Sequence, residues 1–185
     1  MKSIYELGLN KKFRTERLGC VMIDTTSPLK DPETELPSAF VAEQYFSKNP
    51  NLPHINGIQK HHHTTVRYGF DPSVTEEDMR IVADVVAMRG DYIRIKDFEI
   101  FDSKIPEEQY ECVVALLETE GTALRYAHEQ FGVLPNLVTF PYRAHVTLGY
   151  FRPGFWNEYG VFHAPLRDGV YLKDWKFSPA GVFTP

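Results

Sequence analysis

Two stretches decide how this chain folds. His63-Thr64-Thr65-Val66-Arg67-Tyr68 and His145-Val146-Thr147-Leu148-Gly149-Tyr150 share one form, histidine-x-threonine-aliphatic-x-tyrosine, 82 positions apart. On an extended strand residues two apart share a face and successive residues alternate. The first stretch therefore carries His61, His63, Thr65 and Arg67 on one face, with Thr64, Val66, Tyr68 and Phe70 on the other. The second carries Arg143, His145 and Thr147 on one face, with Ala144, Val146, Leu148 and Tyr150 behind. Each predicted strand has an apolar back and a histidine-threonine front, so Tyr68 and Tyr150 are expected in the core. The same alternation resolves the triple histidine. A front built on His62 and Thr64 would draw Val66, Tyr68 and Phe70 out of the core, which favours His63 and Thr65 and leaves His62 a structural role on the back face or at a strand end.

Outward from these strands, Leu18 to Ile23 reads as a first strand. It is followed by a stretch in which five of the thirteen prolines fall between Pro28 and Pro53, expected as loop with one helical piece at Ser38 to Phe46. The strand containing His63 is expected from about Gln59 to Phe70. Ser73-Val74-Thr75-Glu76 has the spacing of a capping box, and Met79, Val82, Ala83, Val86 and Ala87 recur at helical intervals until Gly90. Runs at Tyr92 to Phe101 and Tyr110 to Glu118 predict an antiparallel pair, Thr122 to Phe131 a second helix, and Arg143 to Phe151 and Val170 to Phe177 two more strands. Neighbouring strands without crossover helices predict an α+β fold with antiparallel sheet, and nothing between residues 1 and 185 reads as a linker between independent domains.

The two fronts suit phosphoryl transfer without a metal. Two imidazoles across a cleft can serve as general base and general acid on opposite sides of a phosphorus, because a pKa near ~6.5 allows either form at neutrality. Thr65 and Thr147, each ~6.6 Å along the strand from its histidine, can donate hydroxyl hydrogen bonds to non-bridging oxygens. Arg67 and Arg143 share those faces and can stabilise charge on the phosphate. A zinc site built on His61 and His63, joined by His145 or His163, is the alternative, but no Asp, Glu or Cys accompanies them at ligand spacing and the threonines would be idle in it. Tyr142 and Trp175 are the expected base-stacking residues. Phe151, Phe155, Trp156, Tyr159 and Phe162 are expected to pack.

At His63-Thr64-Thr65-Val66 and His145-Val146-Thr147-Leu148 the sequence resembles the two-histidine (2H) phosphoesterase superfamily, which includes 2′-5′ RNA ligase-like proteins and cyclic phosphodiesterases. The resemblance, at the level of element order from about Leu18 to Phe177, implies a bilobal α+β fold in which two antiparallel sheets form a cleft and each lobe supplies one motif. It implies His63, Thr65, His145 and Thr147 as catalytic residues, with no cofactor. Arg17-Leu18-Gly19-Cys20-Val21-Met22-Ile23-Asp24 and the run from Val138 to Thr147 are similar to bacteriophage members, including the anti-CBASS nucleases that degrade cyclic oligonucleotide signals by attack of a neighbouring 2′-hydroxyl. That narrower resemblance implies a small or cyclic oligonucleotide as substrate and, for a viral protein, the host cytoplasm as its place of action.

Composition bounds these expectations. With 20 Lys+Arg against 25 Asp+Glu the net charge is -5, which disfavours an extended nucleic-acid footprint and leaves room for a small nucleotide in a pocket. A 2′,3′-cyclic phosphodiesterase of RNA processing, the alternative enzyme, would meet RNA ends with a more basic surface. A binder that sequesters a nucleotide without turnover is the alternative from another class. At 185 residues and 43% hydrophobic, a chain buries roughly 70% of its unfolded surface and needs no disulfide. Cys20 and Cys112 stand alone in apolar runs, as buried free thiols of a reducing cytoplasm do. No apolar run approaches the ~20 residues that span a bilayer, and the amino terminus lacks the apolar segment of a secretory signal.

Overall fold

The computed structural model describes residues 18–29, 57–59, 61–86, 90–102, 110–154 and 167–181. Among these residues seven strands, β1 (Gly19–Thr25), β2 (Gly57–Ile58), β3 (His63–Phe70), β4 (Tyr92–Asp102), β5 (Glu111–Leu117), β6 (His145–Phe151) and β7 (Gly169–Ser178), accompany helices α1 (Glu76–Val86) and α2 (Ala123–Gln130). A 3-10 turn, Phe131–Val133, follows α2. The strand order is β2-β6-β5-β4-β7-β1-β3 and every pairing is antiparallel, so the fold is α+β. Where two sheets were expected, the strands form one continuous ladder. Its two halves are joined by only three residues of pairing, Tyr92, Arg94 and Ile93 of β4 against Tyr171, Gly169 and Val170 of β7.

That order forces the sheet to curl. β2 and β3 stand at opposite ends of it, six strand spacings of ~4.8 Å or about 29 Å apart if flat, yet Ile58 and His63 are five residues apart and an extended chain covers at most ~3.6 Å per residue. The run expected as one strand from Gln59 to Phe70 is thus two: β2 pairs with β6, and β3 pairs with β1. The segment between them spans the gap between the two histidine strands. Its buried His62 donates from Nδ1 to the Thr147 carbonyl across that gap, at 3.3 Å, which is the structural role its parity predicts.

Both helices cover one face of the sheet. Met79, Ala83 and Val86 of α1 and Leu124 and Ala127 of α2 are buried, at the 3.6-residue period the sequence shows. The capping box lies two residues beyond the expected one. The Asp78 amide donates to Thr75 Oγ1 at 3.2 Å, while the Thr75 amide and hydroxyl donate to Asp78 Oδ2 at 2.8 and 2.6 Å. Ser73 turns back instead, its amide and hydroxyl donating to Asp71 Oδ1. Gly90, at φ +90°, lies at the stop the sequence places after α1.

Phe131, fully buried, sits at the centre of the core. Its ring meets Phe70 at 6.4 Å and Trp175 at 5.4 Å, both edge-on. Phe131→Ala is expected to cost about 3–5 kcal/mol of unfolding free energy, measured by urea denaturation. A midpoint unchanged within error would mean that these contacts do not hold the helices to the sheet.

Cys112 is buried and Cys20 half-buried, both free thiols, and burial pushes each pKa up to about 11. No helix of the described residues is long and apolar enough to cross a membrane. Ser38 to Phe46, Ala87, Phe155, Trp156, Tyr159, Phe162 and His163 lie outside the described residues; Phe151 is fully buried.

Candidate active site

Bulges set which side chains the two motif strands present. Opposite β1, residues Thr64 and Thr65 pair with Ile23 and Met22, but Val66 and Gly69 are skipped. Directly opposed residues share a face, so His63, Thr65 and Tyr68 line up with the half-buried Asp24, Met22 and Cys20, while Thr64 lies with buried Ile23. Tyr68 therefore leaves the core, against strict alternation, and is 44% exposed. On β6 the skipped residue is Leu148. Tyr150 is thereby turned to the side of Thr147, half-buried and hydrogen-bonded to its hydroxyl, and it too departs from the core position expected for it.

Gly69 makes the second skip on β3, the one after Tyr68, possible. Its φ is +102° and an added Cβ would stand 2.5 Å from the Val138 carbonyl oxygen, so no other residue fits. The Leu137 amide donates to the Gly69 carbonyl at 2.9 Å, locking the segment that leads into the second motif against the end of the first. Phe140 then lies beside Tyr68, ring centres 6.1 Å apart.

A cleft of about 130 Å³ opens here. It is lined by Thr65, Val66, Arg67 and Tyr68 of β3, His128 of α2, the run from Phe140 to Arg143, and His145. Residues of both motifs thus face one space. His63 and Thr147 do not line it. His63 is exposed opposite Asp24, whose carboxylate holds Lys176 at 2.9 Å. The Thr147 hydroxyl is already engaged, by the Cys112 thiol at 3.9 Å and by Tyr150.

The histidines are electrostatically tuned. The His145 Nδ1–H donates to the Arg143 carbonyl at 2.8 Å, which leaves Nε2 as its exchangeable nitrogen, and the ring stands edge-on to Phe101 at 4.8 Å. Burial, then the nearby Arg143 charge, hold its pKa below 6.5, against the opposing pull of the carbonyl. His63, although its side chain reaches solvent, is also held below 6.5, first by partial loss of hydration among its neighbours, then by Lys176 and by His145, with Asp24 opposing. A charge on His145 thus disfavours a charge on His63. For an acid-base pair of this kind, kcat/KM should follow a bell whose maximum lies below pH 6.5, because both free-enzyme pKa values lie below that value. An optimum above pH 7.5 would show that these two groups are not the ones that titrate.

Of the two arginines, Arg143 pairs with Glu99 and lies over the Phe101 ring at 5.1 Å, on the rim. Arg67 does not share the face of His63 and Thr65 as expected: with Val66 skipped it pairs opposite fully buried Val21, on the helix side of β3, and donates from Nη1 to His128 Nε2 at 2.9 Å and from Nε to Asn136 Oδ1 at 3.4 Å. Tyr142 lines the cleft, stacked on the His128 ring at 4.0 Å. Trp175 is not brought there. It pairs opposite buried Ile23, on the core side of the sheet, against Phe131 and Phe177. His128 and Phe140 were not singled out from the sequence, since neither belongs to a repeated motif. The position of His128 one residue after buried Ala127, on the flank of the apolar stripe of α2, was the one signal for it. Among the described residues no group of three or more His, Cys, Asp or Glu side chains converges as a metal site would require. No protein-family model matches the chain, and no curated protein matches its sequence.

Proposed function

We propose that this protein is a metal-independent phosphodiesterase of the two-histidine type, cleaving 3′-5′ linkages in small or cyclic oligoribonucleotides. The observation that carries the reading is that Thr65 of the first H-x-T strand and His145 of the second line a single cleft although the two strands belong to opposite halves of the sheet, with His62 tied to Thr147 between them. Two separate halves of the sheet would each present one half of the machinery, in keeping with a bilobal arrangement around the cleft. The net charge of -5 favours a small substrate over an RNA chain, and at about 130 Å³ the cleft takes one portion of such a ligand, being smaller than the ~300–1,000 Å³ of pockets that enclose a whole one.

In the proposed reaction one imidazole removes the 2′-hydroxyl proton as that oxygen attacks phosphorus. The P–O5′ bond breaks, and the other imidazole delivers its proton to the departing O5′, leaving a 2′,3′-cyclic phosphate and a 5′-hydroxyl. Thr65, on the cleft wall, stands beside the non-bridging oxygens, Thr147 must release its bonds to Cys112 and Tyr150 to join it, and Arg143 at the rim adds positive potential. The Nδ1–H bond of His145 to the Arg143 carbonyl aims Nε2 at the reacting atoms. Anti-CBASS-type evasion of host immunity is one setting that fits a cyclic substrate.

A substrate panel tests the proposal. Cyclic di- and trinucleotides should be cleaved faster than 2′,3′-cyclic mononucleotides and 5′-phosphorylated oligoribonucleotides. The reverse order would make the protein an RNA-processing 2′,3′-cyclic phosphodiesterase, and full recovery of intact ligand after denaturation would make it a sequestering binder.

A further inference from the structure

Arg67 is held more firmly than a phosphate-binding arginine on a strand requires. His128 donates its Nδ1–H to the Val66 carbonyl at 2.8 Å, so its Nε2 carries the lone pair that accepts from Arg67 Nη1. Tyr142, stacked on His128 with its hydroxyl buried, backs the imidazole. Asn136 accepts from Nε, its own amide nitrogen donating to the Leu134 carbonyl at 2.8 Å, which fixes which end of the amide faces Arg67. Beneath lies Gly132, where an added Cβ would sit 3.7 to 3.9 Å from the guanidinium atoms. Two of the five guanidinium hydrogens are thereby used, and three have no partner among the described residues.

The cleft around this fork has a particular chemistry. Tyr68, Phe140 and Tyr142 supply flat apolar walls, and among the described residues no carboxylate or carboxamide side chain lines it. A planar group fits the walls, and its polar edge must present acceptors to Arg67. Among nucleobases guanine offers two adjacent acceptors, O6 and N7, which match an arginine fork. Adenine, the other purine, sets a donor amine beside its N7, so it meets the fork with one acceptor in place of two. We infer that the cleft beside His145 is a guanine subsite, read by Arg67 and kept in register by His128 as a positioning residue. The inference rests on the nucleotide-directed reading above and gives that site its base preference.

Calorimetric titration of the full chain with guanosine 3′-monophosphate and adenosine 3′-monophosphate tests this without requiring turnover. The guanine nucleotide is expected to bind about tenfold tighter or more. Arg67→Met, which keeps the stem and removes the donors, should erase the difference, and Arg67→Lys should fail to restore it because an ammonium lacks the planar fork. His128→Ala should narrow the preference while circular dichroism stays unchanged. Equal binding of the two nucleotides, or no binding of either, would overturn the subsite. So would an Arg67→Met variant that weakens both by the same factor, or an Arg67→Lys variant that keeps the preference, since each is the result of a phosphate contact. The two proposals fail separately: guanine preference in a protein that cleaves nothing keeps the subsite and removes the phosphodiesterase, whereas cleavage without base preference does the reverse.

Discussion

Replacing His63 or His145 by alanine is expected to lower the rate of cleavage at least ~10²-fold, because a positioned general acid or base contributes about that much or more. Neither change should unfold the protein. His63 is exposed on the front of β3, with its strand anchored from behind by buried Thr64 and Val66. His145 gives up one carbonyl contact and an edge-on contact with Phe101, while Val146 and Leu148 keep β6 on the core. The rate loss should therefore come with nearly unchanged circular dichroism and a modest change in urea midpoint. Thr65→Ala and Thr147→Ala should each cost less, since each removes one neutral hydrogen bond, and Thr147→Ala less again because its hydroxyl already serves Cys112 and Tyr150. A fully active His63→Ala variant would assign the first motif to structure alone.

The second large effect belongs to the substrate. If a neighbouring 2′-hydroxyl is the nucleophile, its removal leaves only bulk water to attack, and the advantage of an intramolecular nucleophile is lost. Effective molarities of ~10⁵ M or more, against water at tens of molar, translate into at least ~10³-fold slower cleavage of a 2′-deoxy analogue. The analogue should still bind and compete with the ribose substrate, because the loss falls on the chemical step. Equal turnover of the two would show that water attacks directly, and no 2′,3′-cyclic phosphate would then form.

What the chain discloses about itself divides along physical lines. Element types were legible because their signals are local: period two at His63 to Phe70 and His145 to Phe151, period 3.6 at Met79 to Val86, and Gly90 after the helix. Failures of the alternation rule sit at bulges. Skipping Val66 on β3 turned Tyr68 away from the core and Arg67 toward the helix side, skipping Leu148 on β6 turned Tyr150, and a further skip at Gly69 returned Phe70 to the core. The conformation that permits one of these is written only in a glycine that needs Val138, a residue far along the chain, to explain it. The cap at Thr75 in place of Ser73 shows the same limit at short range, since Asp71 competes for Ser73. Non-local facts were not legible at all. The continuity of the sheet depends on three residues of β4 reaching β7, and Trp175 takes the core side because its register against Ile23 sets it there. His128 reached the cleft through the packing of α2 on β3, which no spacing within the sequence encodes.

The central claim, that two imidazoles and no metal carry the chemistry, is tested most directly by following cleavage of a cyclic diribonucleotide after exhaustive dialysis against EDTA, with the chelator kept in the assay and the product read by mass spectrometry. The account predicts unimpaired cleavage to a linear product carrying a 2′,3′-cyclic or terminal phosphate. Loss of turnover in chelator, restored by added zinc, would contradict it.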